Sequence, residues 1–202
     1  QLRGRLQWLA FQQRLAFACP VDPVRQRLAR HLQRARHRRY STAAVDHLYS
    51  LGHRHIALIN GLQEVLPARA RAKALRRAIA AAPDGIATVT TGPFTPEYGE
   101  SATIELFESE NPPTAIIVGG NQILVGVLKG LAALNLSMPD DVSLVTCDSL
   151  PLGDLLTPPL AVVWRNAQEI GERSAQVLLD QLEDGKPRDV RLATEYRPAG
   201  SV

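Results

Sequence analysis

Residues 44–61 read AVDHLYSLGHRHIALING. The stretch changes period midway, and that change decides the fold. A helix is predicted from Ser41 or Thr42 to Leu51, and Gly52 is its stop. The apolar run His55–Asn60 follows at once and reads as a strand that does not alternate polar and apolar residues. The same alternation of elements then repeats down the chain. Pro67 opens an Ala/Arg-rich helix to about Ala82, Pro83-Asp84-Gly85 turns, and Ile86–Thr91 is the second strand. Pro96 starts a helix to about Ser109, and Thr114–Val118 is the third strand. Asn121 caps a helix to Leu134, and Val142–Cys147 is the fourth strand. After a loop with Pro151, Pro158 and Pro159 come a strand at Leu160–Trp164, a helix at Asn166–Glu183 and a last strand at Val190–Tyr196.

Strands that are apolar throughout are buried on both faces. The expected fold class is therefore α/β, a parallel sheet flanked by helices. Right-handed crossovers put every strand-to-helix loop at one edge of that sheet. Ligands of open α/β sheets bind at the carboxyl ends of strands. The segments to inspect are Asn60-Gly61, Thr91–Phe94, Gly119–Gln122 and Cys147–Ser149.

Composition narrows the function classes. With 45% apolar and 21% charged residues over 202 positions, the chain has a core and is not a disordered tract. No apolar run reaches the roughly 18–20 residues of a membrane span. Two cysteines, Cys19 and Cys147, cannot staple a scaffold and lack metal-type spacing. The net charge of +3 conceals a division. Residues 1–40 hold ten Arg, no Lys and one acid, Asp22, for +9; residues 41–202 carry −6. No strand-like run appears in the basic segment, and Pro20 and Pro23 interrupt any helix there. Its Arg36, Arg38 and Arg39, beside Tyr40, suit a basic arm on nucleic acid, or the segment is not a native part of the fold.

Four strand-end residues carry binding chemistry. Arg71 offers a planar cation for hydroxyls or carboxylates. Phe94 offers a stacking face, Asn121 a donor and an acceptor on one side chain, and Asp148 an acceptor for two hydroxyls. Each also has a plainer structural reading: a solvated helix charge, a core ring, a helix cap, a loop acid. Their convergence on one edge favours binding. Catalysis is not expected, because no nucleophile elbow and no Cys beside a base are present. His47, His53 and His55 lack a partnering acid or Cys at zinc-like spacing, so no metal is expected. Gly119-Gly120 lacks dinucleotide-fingerprint spacing, and no cofactor is expected.

Residues 44–61 closely resemble the lac repressor (LacI/GalR) family of transcriptional regulators. So do Pro113–Gln122 running on to Gly126 and Leu131, Met138–Asp148, Leu155–Leu160 and Glu169-Ile-Gly171, in the family's order and spacing. The resemblance covers about residues 41–202. It implies a periplasmic-binding-protein-like core of two α/β lobes, a small sugar-like or nucleobase-like effector in the interlobe cleft, a cytoplasmic homodimer, and operator DNA bound through an N-terminal helix-turn-helix. By position Arg71, Phe94, Asn121 and Asp148 match the family's effector-binding residues. Trp164 joins them as the residue that ends the strand after Pro158-Pro159, where a different segment is usual.

Departures from the pattern are Leu66 and Pro67, Gly120, Ser149 and Trp164-Arg165-Asn166. They argue against a standard hexose and permit a more apolar or aromatic-friendly ligand. Residues 1–40 show neither the headpiece nor a first lobe, so the expectation is a truncated or frame-disrupted regulator with its second lobe intact and its first incomplete. The second lobe is expected at about 55–160 and 186–202, with crossover and first-lobe remnant at about 41–54 and 161–185. A solute-binding protein of a transporter, or a non-functional truncated regulator, are the alternatives.

Overall fold

A computed structural model of the chain describes residues 40–202 apart from 149, 151–155, 187, 189 and 191. The Arg-rich segment with Arg36, Arg38 and Arg39, as well as Cys19, Ser149 and Pro151, lies outside the described residues. Eleven elements follow in order: α1 (Tyr40–Ser50), β1 (His55–Gly61), α2 (Leu66–Ala80), β2 (Ile86–Gly92), α3 (Pro96–Phe107), β3 (Ala115–Val118), α4 (Asn121–Ala133), β4 (Ser143–Thr146), β5 (Ala161–Arg165), α5 (Ala167–Asp184) and β6 (Thr194–Arg197).

Local chemistry sets the boundaries. Gly52, at φ +98°, closes α1: its N–H donates to Tyr49 O and that of His53 to Leu48 O, the paired bonds of a left-handed helix stop. Thr95 caps α3 by accepting from Tyr98 N at 3.3 Å, with Pro96 next in line. Asn166 caps α5 by accepting from Glu169 N at 3.1 Å, and Gly185 ends that helix at φ +69°.

The sheet order is β2-β1-β3-β4-β5-β6. The first five strands run parallel. The expected last strand proves shorter, and antiparallel to β5, so the sheet is mostly rather than wholly parallel. Order reverses between β1 and β3, because β2 lies on one side of β1 and all later strands on the other. The connecting helices divide accordingly. Leu58, Ile117, Val145 and Val163 pack on one face with Leu48 of α1 and Leu75 of α2. On the other face Ile59, Ile116 and Leu144 pack with Leu106 of α3 and Leu124 of α4. β1, β3 and β4 are buried along their whole length, as apolar central strands should be. β2 is an edge strand and is half exposed despite the same apolar reading. Helix α5 keeps only Val177 buried, and Leu179 and Leu182 are exposed.

Helices α3 and α4 cross with backbones in contact. A Cβ on Gly99 would stand 2.2 Å from Ile123 O, and one on Gly126 would stand 1.9 Å from Pro96 O. The chain's end is also structural. Ser201, fully buried, donates to Leu144 O at 2.6 Å and accepts from Ala161 N at 2.9 Å, bridging β4 and β5.

Candidate functional site

The carboxyl ends of β1 and β3 form the switch point where open α/β sheets take ligands. Glycines cover it, and Phe94 explains them. The ring lies so close that a Cβ on Gly61 would stand 1.9 Å from Phe94 Cε2 and one on Gly120 would stand 2.3 Å from Phe94 Cε1. Phe94 is nevertheless 43% exposed, so the ring rests on the backbone of two strand ends and leaves a face to solvent. Under it Asn60 is fully buried, and its Nδ2 donates to Ala68 O at 2.7 Å, fastening the end of β1 to the first turns of α2.

Asn121 follows Gly120 at the first helical position of α4. The cap is Gly120, which has no side chain to offer, so the simple capping role does not apply to Asn121. Its Oδ1 is buried.

The carboxyl end of β4 is charged. Thr146 Oγ1 donates to Asp148 O at 3.1 Å and holds the turn that presents Asp148. Asp148 Oδ1 accepts from Arg165 Nε at 2.5 Å, across from the end of β5. Arg71 reaches the same place from α2. It is only 5% exposed, and it lines one small cavity together with the Cys147 thiol. Burial pushes that thiol's pKa up, Arg71 pulls it back, and Asp148 and Arg165 act on it with opposite signs. A cavity about large enough for one water lies here between Val45, Leu58, Arg71, Leu75, Cys147 and Val163.

The five residues singled out by sequence thus fall into three places. Phe94 lies at the switch point on Gly61 and Gly120, and Asn121 follows Gly120 there in the chain. Arg71 and Asp148 meet around Cys147. Trp164 is drawn elsewhere: the Arg197 guanidinium stacks 4.0 Å over its ring, tying β5 to β6. Its neighbour Arg165 faces Asp148 instead. Sequence reasoning noticed Arg165 only as part of an unusual tripeptide and gave it no role. The period-two alternation of β5, which sends 163 and 165 to one face and 164 to the other, is the signal that would have found it.

The histidines do not converge. His47 meets Tyr196 Oη at 2.8 Å, His53 meets Thr114 Oγ1 at 2.9 Å, and His55 meets Thr88 Oγ1 at 2.8 Å. Among the described residues no cluster of His, Cys, Asp and Glu suits a metal ion, and no helix is long and apolar enough to cross a membrane.

Comparison with known proteins gives this geometry a context. A family model described as a periplasmic binding protein-like domain matches residues 45–202. The ribose operon repressor of Escherichia coli is 32% identical over 143 residues, covering 69% of this chain and 43% of that protein. The transcriptional repressor CytR of Escherichia coli is 33% identical over 145 residues, covering 69% and 42%. Among solved structures, a LacI transcriptional regulator from a Rhodococcus species superposes with a TM-score of 0.72 at 30% identity, covering 80% of this chain and 60% of that one. The chain therefore spans less than half the length of the curated relatives it matches.

Proposed function

The chain belongs to the LacI/GalR family of transcriptional regulators, of which it carries the periplasmic-binding-protein-like domain, and from that premise we propose that residues 45–202 sense a small effector at the carboxyl edge of the sheet. The observation that carries this reading is the half-exposed Phe94 ring lying on Gly61 and Gly120 at the switch point, with Asp148 and the buried Arg71 a strand away. A ring laid on Phe94 gains stacking, while polar groups reach Asn121, Asp148 and Arg71. Nothing in this set performs a chemical step. The effector is a sugar-like or nucleobase-like molecule held in a cleft whose second wall is the other lobe, and its binding is read out by a cytoplasmic homodimer. Operator DNA is reached through a helix-turn-helix headpiece, which is no part of residues 45–202.

Calorimetry against a panel of sugars, nucleosides and aromatic acids tests this. Arg71→Ala and Asp148→Ala should each weaken the best ligand by about 1–3 kcal/mol, the cost of leaving its buried polar groups unpaired. Unchanged affinity in both variants would remove the site. Absence of binding by every panel member to the folded protein would remove the effector role.

A further inference from the structure

The effector site carries a charge imbalance that points to what it binds. Arg71 is a buried cation, and its neighbours in the small cavity are Val45, Leu58, Leu75, Ile117 and Val163. Among the described residues no carboxylate pairs with it, and the Cys147 thiol, whose pKa burial raises, lines the same cavity. A buried guanidinium without a counter-ion is costly, and such groups are ordinarily paired. The nearby acid is already committed, since Asp148 takes Arg165. Two guanidiniums and one carboxylate therefore act on the Cys147 thiol.

The Arg165 contact is one-sided. Asp148 engages Nε, and among the described residues no acceptor meets the two terminal nitrogens of the fork. With side chains 37% and 19% exposed, Arg165 and Asp148 sit where a ligand from solvent meets them. Asp148 then has a positioning role: it fixes the arginine plane at the end of β5 and leaves its donor edge open.

We propose that the effector carries an oxyanion, a carboxylate or a phosphate, received by Arg165 and Arg71 together, while its ring lies toward Phe94. Arg165 is a specificity-determining residue of the site, added by the unusual segment Trp164-Arg165-Asn166. This rests on the effector reading above. Guanidinium groups favour planar two-point contacts to such anions, and an anion supplies the charge that, among the described residues, the two arginines and one aspartate leave uncompensated.

Matched probes test it. The whole chain is titrated calorimetrically, at one ionic strength, with ribose and ribose 5-phosphate, and with glucose, glucose 6-phosphate and glucuronate. At least one anionic member should bind about tenfold or more tightly than its neutral parent, and the gain should shrink with added salt. The phosphate and carboxylate arms separate the two anion classes. Arg165→Gln, checked for folding by circular dichroism, should cut the anion-to-neutral ratio to about threefold or less, and Arg165→Lys should restore part of it. Neutral and anionic members binding equally would overturn the oxyanion inference and leave the effector site standing, as would a ratio that survives Arg165→Gln. Binding by no member at all would overturn both.

Discussion

Gly126→Ala is the most exacting test of the packing that places the switch point. Helix propensity alone predicts that it stabilises, because Ala is favoured over Gly in a helix interior by about 1 kcal/mol. The structure predicts the opposite. The new Cβ would stand 1.9 Å from Pro96 O, 2.6 Å from Glu100 N and 2.8 Å from Gly99 Cα. Carbon atoms pack at about 3.5–4.0 Å, so the last of these alone demands a separation of roughly 1 Å. All three obstacles are backbone, so no rotamer change relieves them, and α4 must shift against α3. Overpacking of a rigid contact costs about 1–3 kcal/mol and occasionally more. With unyielding backbone on three sides we take about 3–4, and after the propensity gain a net loss of about 2–3 kcal/mol remains. For a chain of this size that lowers Tm by about 4–12 °C. Urea denaturation and thermal melts followed by circular dichroism measure it. Gly171→Ala in α5 is the control: nothing lies within 4 Å of the added methyl, so propensity should act alone and the variant should gain up to about 1 kcal/mol. A Gly126→Ala protein as stable as its parent would refute the close crossing of α3 and α4.

Two further outcomes follow from buried polar groups. Ser201→Ala removes one hydroxyl that both donates to Leu144 O and accepts from Ala161 N, and should cost about 1–3 kcal/mol in urea denaturation, since both partners are left buried. Tyr196 gives a pH signature. Burial pushes its pKa from 10.0 up to about 12, so between those values the unfolded chain loses a proton that the folded chain keeps. Stability should therefore hold steady below pH 10 and fall from there toward pH 12. In Tyr196→Phe that alkaline fall should lose this component, at the expense of the bond to His47 and a baseline loss of about 1 kcal/mol. An unchanged alkaline slope in denaturation midpoints would contradict the burial of this hydroxyl.

The elements themselves were legible because this chain punctuates them locally. Gly52, Pro67 and Pro96 mark helix ends, and the helix and strand limits expected from the sequence mostly fall within a residue or two of those found. What was not legible depends on neighbours. That β6 is antiparallel is settled by where the chain returns after α5, and no local residue encodes it. The exposure of β2 follows from its place at the sheet edge rather than from its composition. Ser201 reads as a terminal polar residue until β4 and β5 close on it. In the site, the residue types at strand ends could be picked out one by one, but the pairing of Asp148 with Arg165 spans two strands and 17 residues, and requires knowing that β4 and β5 are adjacent. Trp164 was the natural choice from a tripeptide rich in binding chemistry. Strand alternation and the stack with Arg197 turn it away.

These placements make the carboxyl edge of the sheet unlike at its two halves. Over β1 and β3 it is neutral and aromatic: the Phe94 ring lies on glycines, with the amides of Asn60 and Asn121 close by in the chain. Over β4 and β5 it is ionic: Asp148, Arg165 and Arg71 surround a thiol. A ligand with uniform chemistry gains from one half and leaves the other unmatched. A ring with one charged arm gains from both, because the ring is held where no charge must be desolvated and the arm ends near a buried cation that meets no carboxylate among the described residues. The glycines are what allow this division. Side chains at 61 or 120 would lift Phe94 from the strand ends and remove the neutral half while the ionic half stayed in place. Gly120→Ala should therefore weaken the contribution of a ligand's ring more than that of its anion. Calorimetry with a ring-bearing acid and with the corresponding open-chain acid separates the two. Equal losses for both ligands would show that the halves of the edge do not act independently.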